Sequence, residues 1–319
     1  MTLPYYIGVD TSNYTTSLAV YDAKNKTIIQ SKKLLPVKEN ELGLRQSDAV
    51  FFHTKQISDL FFDLFKSGNI PVGEIKAVSA STRPRTKKGS YMPCFLVGDM
   101  VANALSAVLG VPKYEFSHQD GHIVAALYSA KKLDLLGSDF VAFHFSGGTT
   151  ECVYVKNHKD NIIETEIISQ SLDLKAGQAI DRVGNMLGLR FPAGKELDRL
   201  SLASEKTYKI NPTFKGENPC ISGLENKCKK MIDENSLPQD TAKYALEYIV
   251  AVAEKMLKNA REKYGEIPVI LSGGVMSNSL MQEKMTKYHD VFAAKAEFSS
   301  DNAVGVSILG AIKNGETVV

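Results

Sequence analysis

No stretch of this chain stays apolar for anything near the about twenty residues that a membrane-spanning helix needs, so no helical span is expected. Cysteine is scarce: Cys94, Cys152, Cys220 and Cys228 are the full set of 4, and no two of them form a Cys-x-x-Cys pair. That is too few and too scattered for a disulfide scaffold, and a reduced, cytoplasmic protein is the expectation. The start, Met1-Thr2-Leu3-Pro4-Tyr5-Tyr6-Ile7, lacks the basic residues and small-residue cleavage site of a signal peptide and passes directly into a strand pattern. An excess of one charge is also missing. Lys and Arg number 38 against 36 Asp and Glu, a formal net charge of +2, so any contact with RNA must come from a local patch. What remains is an ordinary soluble composition, 44% hydrophobic and 23% charged. At 319 residues the chain is too long for one small core and fits two domains or lobes.

The most informative stretch is Ser117-His118-Gln119-Asp120-Gly121-His122. It follows a short apolar run ending at Phe116 and precedes Ile123, Val124, Ala126 and Leu127. Ser117 with Asp120 three residues later is the signature of a helix start with a capping box. His118 and His122 then lie one turn apart on one face. Two imidazoles so spaced can share one metal ion, each through one ring nitrogen. The plainer alternative is two partly exposed histidines at a helix end.

Glycine-containing turns recur at the ends of buried strands. Tyr5 to Asp10 is a strand, Ser17 to Tyr21 its hairpin partner, and Lys24 to Lys33 a turn and third strand. Between the first two lies Gly8-Val9-Asp10-Thr11-Ser12-Asn13-Tyr14-Thr15-Thr16, where backbone amides can meet a phosphate while the acid holds a cation or water. Phe140 to Phe145, Ser146-Gly147-Gly148-Thr149-Thr150 and Glu151 to Val155 repeat this logic, as in a duplicated fold. Pro268 to Val275 is a buried strand running into Gly273 and Gly274, with a helix opening at Asn278, so that a base and ribose can lie against bare backbone.

The remaining segments are mostly structural. Leu42-Gly43-Leu44-Arg45-Gln46-Ser47-Asp48 leads into a helix whose apolar side is Ala49, Phe52, Ile57, Leu60, Phe61 and Leu64; Arg45, Gln46 and His53 are expected at solvated positions, a cleft being the alternative. After a strand ending at Ser81 comes Thr82-Arg83-Pro84-Arg85-Thr86-Lys87-Lys88-Gly89. Its cations, Arg83, Arg85, Lys87 and Lys88, suit either a solvated loop or a grip on phosphate or RNA backbone. Phe95 to Leu109 is a helix and Pro112 to Phe116 a strand. Lys175 to Gly184 is a helix, and Phe191-Pro192-Ala193-Gly194 a turn into a helix bearing Asp198. Residues 204–220 read as an irregular surface excursion, Cys220 to Leu224 as a buried turn into a basic helix, and residues 240–263 as one amphipathic structural helix. Asp301 precedes a small-residue helix, Val304 to Ile312, where it can cap that helix or give the histidines an oxygen ligand.

Several of these pieces together resemble the TsaD family of tRNA threonylcarbamoyl transferases, historically catalogued as glycoprotease-like peptidases. The resemblance runs from Tyr6 to Ile312. It rests on His118-x-x-x-His122, Ser146-Gly147-Gly148, Ala179-Ile180-Asp181 through Pro192-Ala193-Gly194, Ser222-Gly223-Leu224, Gly273-Gly274-Val275 with Asn278, and Asp301-Asn302-Ala303. It implies an α/β fold of the actin-like ATPase and sugar-kinase type, with two lobes around a nucleotide cleft. Residues 1–112 with 300–319 would form the N-terminal lobe, and residues 113–299 the C-terminal lobe with the metal and nucleotide motifs. It further implies that His118, His122 and Asp301 bind a catalytic iron or zinc ion. Asp10, Ser12, Ser146, Gly147, Gly148, Thr149, Asp181, Gly194, Asp198, Gly273, Gly274 and Asn278 would hold ATP or the adenylate. The implied reaction moves threonylcarbamoyl from its adenylate to the adenine beside the anticodon of tRNA. The implied partners are tRNA, a related inactive subunit and a small ATPase, with a homo- or heterodimer open and no membrane.

The chain also departs from that family's pattern. Tyr14 and Thr15 replace two acids, Thr149 replaces a His after Ser-Gly-Gly, and Gly177-Gln178-Ala179-Ile180-Asp181 replaces Gly-Glu-Ala-Phe-Asp. Arg83-Pro84-Arg85 stands where Gly-Pro-Gly is usual. Lost acids and gained cations alter the preferred substrate charge and suggest a divergent paralogue, either with a different acceptor or with a regulatory, scaffolding role. A metallopeptidase is disfavoured. A zinc peptidase helix needs a general-base Glu directly after its first histidine, and Gln119 cannot take a proton from water. A sugar or acid kinase is disfavoured as well, since such an enzyme does not need the histidine pair.

Overall fold

The computed structural model describes residues 4–12, 14–36 and 44–318; Met1, Thr2, Leu3, Asn13, Leu42 and Gly43 of the segments named above lie outside the described residues. The chain separates into two compact units, residues 1–136, 157–164 and 300–319, and residues 137–156 and 165–299.

The first unit is built on a 5-stranded sheet of order β3-β2-β1-β4-β5. Its strands are β1 (Tyr5–Ser12), β2 (Thr15–Asp22), β3 (Thr27–Leu34), β4 (Ile75–Arg83) and β5 (Lys113–Ser117). β1 pairs with β2 in antiparallel register out to Ser12 opposite Thr15, and runs parallel to β4. Every residue of β1 and β2 is buried, so this part of the sheet is covered on both faces. Tyr5, Ile7 and Val9 pack with Leu60 and Leu64 of α1 (Gln46–Gly68) and Val97 of α2 (Phe95–Leu109). Gly8 faces the other way, toward Ala303 and Ser307 at the start of α9 (Val304–Lys313). The histidine helix, α3 (His118–Ser129), follows β5 directly and packs on α9. β5 and α3 therefore belong to the first unit together with the residues 1–112 and 300–319 expected in it, because β5 pairs with β4.

The second unit repeats the strand pattern. Its 5-stranded sheet has the order β12-β11-β6-β7-β8. The strands are β6 (Phe140–Phe145), β7 (Thr150–His158), β8 (Ile162–Gln170), β11 (Val269–Ser272) and β12 (Val291–Ala293). Helices α4 (Ala176–Met186), α5 (Gly194–Ser201), α6 (Gly223–Asp233), α7 (Pro238–Tyr264) and α8 (Ser279–Met285) complete it. Phe143, Ile180, Leu197, Leu224, Ile249 and Leu271 share its core. Residues 204–220 are less irregular than expected, because they contain a small hairpin of β9 (Thr213–Lys215) and β10 (Asn218–Cys220). Among the described residues no helix is long and apolar enough to cross a membrane.

The contact between α3 and α9 is backbone against backbone. A Cβ added at Gly305 would lie 1.9 Å from the carbonyl oxygen of Gly121. No side chain has room there, and the obstacle is main chain that cannot rotate away. Gly305→Ala is expected to cost about 3 kcal/mol or more of stability, at the upper end of overpacking effects. A melting temperature equal to that of the unsubstituted chain would contradict this packing.

Candidate metal centre

Helix α3 starts as its sequence requires. The Ser117 hydroxyl accepts from Asp120 N at 3.1 Å, and the Asp120 carboxylate accepts from Ser117 N at 3.2 Å. This closed capping box fixes the first turn and puts His118 and His122 on one face, with ring centroids 4.3 Å apart. Asp301 does not cap α9. The N-cap there is Ala303, and the Val304 amide donates to Asn302 Oδ1 at 3.1 Å. Asp301 instead turns toward the histidines: its Oδ1 lies 3.3 Å from His122 Nε2 and 3.5 Å from His118 Nε2. The three side chains are recessed yet open to solvent, with 19%, 12% and 25% of their surface exposed for His118, His122 and Asp301.

The spacing distinguishes two uses of this trio. A charge-assisted N–H···O bond is about 2.7–2.9 Å long, so 3.3 and 3.5 Å are poor hydrogen bonds. An ion bonded at about 2.0–2.1 Å to tetrahedral ligands needs its ligand atoms about 3.4 Å apart. The three donor atoms lie within 4.8 Å of one another and, as two imidazoles and a carboxylate, suit a divalent transition ion. Geometry and donor chemistry thus fit a metal with open positions.

Behind the trio stands Asp10, fully buried in β1. Its Oδ2 lies 2.8 Å from His118 Nδ1 and accepts from Ser81 Oγ at 2.5 Å, and its Oδ1 accepts from Ser12 N at 2.9 Å. Burial alone would lower the His118 pKa, but the Asp10 charge and bond, with Asp301, outweigh it and lift the imidazole to about 10. Burial would raise the Asp301 carboxyl, yet the facing imidazoles of His118 and His122 hold it well below the usual carboxylate range.

The glycine turns of the second unit also come together. Ser146 Oγ accepts from Gly148 N at 3.3 Å and Thr149 N at 3.1 Å, and Gly177 N donates to Ser146 O at 3.1 Å. A Cβ at Gly177 would meet Gly147 N at 2.6 Å, so the start of α4 lies directly against the turn. Gly273, at φ +94°, presses on the Phe145 carbonyl just before Ser146. Asp181 Oδ1 accepts from Ala193 N at 2.8 Å, beside Gly194. Asp198 accepts from Ser279 N and Oγ at 3.1 and 2.7 Å, next to Asn278, which caps α8. Among these residues, Gly147, Gly148, Gly194 and Gly274 have no close neighbour that a Cβ would strike.

The basic loop is tied to the histidine helix. Thr86 Oγ1 donates to Asp120 Oδ2 at 2.9 Å, and Gln119 N to Pro84 O at 3.1 Å. Arg83 and Arg85 are half-buried, while Lys87 and Lys88 are exposed. His53, expected on a solvated face, is fully buried: its Nδ1 lies 2.7 Å from Thr16 Oγ1. Gln56 Nε2 donates to the same hydroxyl at 2.6 Å, so this side of α1 is held to β2 by polar contacts as well as apolar ones. Arg45 is exposed as expected, whereas Gln46 is half-buried and its Oε1 accepts from Cys94 N at 3.3 Å.

The family model described as tRNA N6-adenosine threonylcarbamoyltransferase (TsaD) matches residues 40–307. The chain belongs to the TsaD family. One similar protein, the tRNA N6-adenosine threonylcarbamoyltransferase of Buchnera aphidicola subsp. Schizaphis graminum, is 29% identical over 98% of this chain and 94% of its own length. That of Bacillus licheniformis is 27% identical over 97% of this chain and 91% of its own. Among solved structures, full-length HypF in its phosphate- and nucleotide-bound form matches with a TM-score of 0.62 at 14% identity, covering 98% of this chain and 47% of HypF. A glucokinase of the ROK family from Streptomyces griseus, in complex with glucose and AMPPNP, matches at 0.53 and 11% identity over 97% of this chain and 99% of its own. These likenesses show the fold, the α/β actin-like ATPase and sugar-kinase type expected from the motifs. TsaD membership makes the chain an acyl-type transferase.

Asp10 is the residue whose contact the sequence did not disclose, since His118 is 108 residues away. Its one signal was a carboxylate inside a strand of buried apolar neighbours, where charges rarely sit unpaired.

The cluster makes the metal-free protein pH-sensitive. His118 has a raised pKa, so its contribution to stability is full below about 6.5, the unfolded value, and is lost as pH rises toward about 10. Asp301 has a depressed pKa, so its contribution is full above the ordinary carboxyl value of 3.8 and is lost in acid. Chelator-treated protein should therefore lose stability between pH 7 and 10 in urea denaturation, and His118→Gln should lose less over the same range. Identical slopes would rule out the raised imidazole.

Proposed function

We propose that this TsaD-family chain transfers threonylcarbamoyl from its adenylate to the N6 amine of the adenine beside the anticodon in tRNA. The family match across residues 40–307 carries this reading. The amine nitrogen attacks the carbamoyl carbon, a C–N bond forms, the bond from that carbon to the adenylate oxygen breaks, and AMP leaves while the amine proton passes to solvent. His118, His122 and Asp301 hold one iron or zinc ion; two nitrogens and one oxygen suit either. When bound, that ion supplies Lewis-acid polarisation of the carbonyl. The nucleotide is assigned to residues of the second unit: the turn Ser146 to Thr149 with Asp181, Gly194, Asp198, Gly273, Gly274 and Asn278. The amide of Gly147 supports this, because backbone N–H groups in such turns bind phosphate. Gln119, one residue after His118, offers no general base for peptide hydrolysis.

Arg83, Arg85, Lys87 and Lys88 are assigned to the RNA backbone. Their loop is fastened to the first turn of α3 through Thr86 and Pro84, which keeps those charges near the trio. A related subunit and a small ATPase are the expected protein partners, in the cytoplasm. A second reading is favoured by the replaced family acids: Tyr14 is 40% exposed and Thr15 is buried, so no carboxylate lies at that turn beyond Asp10. On that reading the chain binds nucleotide and serves another acceptor or a scaffolding role.

The deciding assay supplies threonylcarbamoyl-adenylate, unmodified tRNA and a partner subunit, and looks for modified adenosine by mass spectrometry. Product is expected, and it should vanish with His118→Ala. Absence of product with metal and nucleotide still bound would favour the second reading. His118→Ala and His122→Ala should each bind far less metal while remaining folded; full occupancy in both would remove the metal assignment. Replacing Arg83, Arg85, Lys87 and Lys88 together by Gln should flatten the salt dependence of tRNA binding by up to about 3 in log–log slope. An unchanged slope would place the RNA elsewhere.

A further inference from the structure

We infer that Asp10 is a positioning residue for the metal centre, holding His118 by Nδ1 so that only Nε2 faces Asp301. The inference rests on the reading of His118, His122 and Asp301 as ligands. The hairpin turn suggested that Asp10 meets a cation, water or nucleotide directly. The structure leaves it little capacity to do so. Asp10 has no exposed surface. Three of the about four lone-pair positions of a carboxylate are already taken, by Ser12 N at 2.9 Å, Ser81 Oγ at 2.5 Å and His118 Nδ1 at 2.8 Å.

The same contacts give Asp10 a different task. An imidazole can present either nitrogen to a metal, and the bond made by the other nitrogen decides which. With Nδ1 donating to Asp10, Nε2 becomes the free donor atom, and it is Nε2 that lies 3.5 Å from Asp301. The carboxylate also raises the basicity of the ring it holds and strengthens it as a ligand. The support is rigid. Asp10 belongs to β1, which is hydrogen-bonded to β2 on one side and β4 on the other, and Ser81 belongs to β4. The Phe95 ring, 6.0 Å from the His118 ring, limits its rotation from a second side.

The test uses the full chain, stripped of metal with chelator and titrated with cobalt(II), followed by its visible d–d absorption. The unsubstituted protein should bind one cobalt. Asp10→Ala should bind it about 10- to 100-fold more weakly, with a shifted d–d band, because the ring is no longer held. Asp10→Asn is nearly isosteric and retains an oxygen able to accept from Nδ1, so its loss should be smaller than that of Ala but measurable. If Asp10→Ala does not fold, Asp10→Asn decides. A lowered melting temperature with cobalt affinity and band unchanged in the folded variants would make Asp10 merely structural and overturn the inference alone. No cobalt uptake by the unsubstituted chain would overturn the metal reading and this inference with it.

Discussion

Everything at the candidate metal centre depends on how closely α3 and α9 approach. The two helices come from segments far apart in the chain, yet His122 and Asp301 face each other across 179 residues of sequence. The approach is allowed because Gly121 and Gly305 carry no side chain at the crossing: a Cβ at Gly305 would strike the Gly121 carbonyl, and one at Gly121 would press on the Val306 side chain at 2.9 Å. Gly121 sits directly before His122, and Gly305 lies about one turn beyond Asp301. The spacing of a possible ion site is thus set by backbone packing and not by side-chain adjustment. Gly8 does the same for the sheet beneath, letting β1 reach Ala303 and Ser307. That contact brings Asp10, on the same strand, toward the back of His118.

The second constraint is charge. Asp10 and Asp301 place two carboxylates around His118, and one of them is fully buried. Such charge is tolerated only when it is compensated nearby. Imidazolium can supply the compensation, as the lifted His118 pKa indicates. A divalent cation bound by neutral imidazoles can supply it too. On the proposed reading, His118, His122 and Asp301 would hold the ion, and its uptake would release the protons of the imidazoles that bind it.

How much of this could be read from the sequence depended on range. The capping box and the His118–His122 face are local, three and four residues long, and the pattern of residues specified both. The three glycine turns were equally visible because each sits at the end of a strand with a strong apolar run. Asp301 had two readings at the sequence level, and the distances of its carboxylate to His122 and His118, 3.3 and 3.5 Å, decide between them. The link from Asp10 to His118 could not be read, because nothing local distinguishes a carboxylate aimed at a ligand from one aimed at a histidine. His53 misled for a related reason: polarity suggested solvent, but Thr16 and Gln56 form a buried polar network beneath α1. β8 went unseen because its buried and exposed residues follow no clean period, as befits a strand at the edge of its sheet.

The duplicated strand order sharpens where function resides. Both units run three consecutive strands side by side and then add two more, yet only the first follows its last strand with a helix carrying two histidines. After β12 the second unit has a short 3-10 turn, Ala296–Phe298, and no such pair. A glucokinase shares the fold at a TM-score of 0.53 and 11% identity, so the fold alone cannot specify the chemistry. What separates this chain from a plain nucleotide-binding scaffold is the handful of residues that the crossing of α3 and α9 assembles, together with the buried carboxylate behind them. The departures from the family pattern leave that group intact; within the same unit they fall at Tyr14, Thr15 and the Arg83 to Lys88 loop. A change confined to the surroundings alters which substrate is admitted more readily than which bond is made.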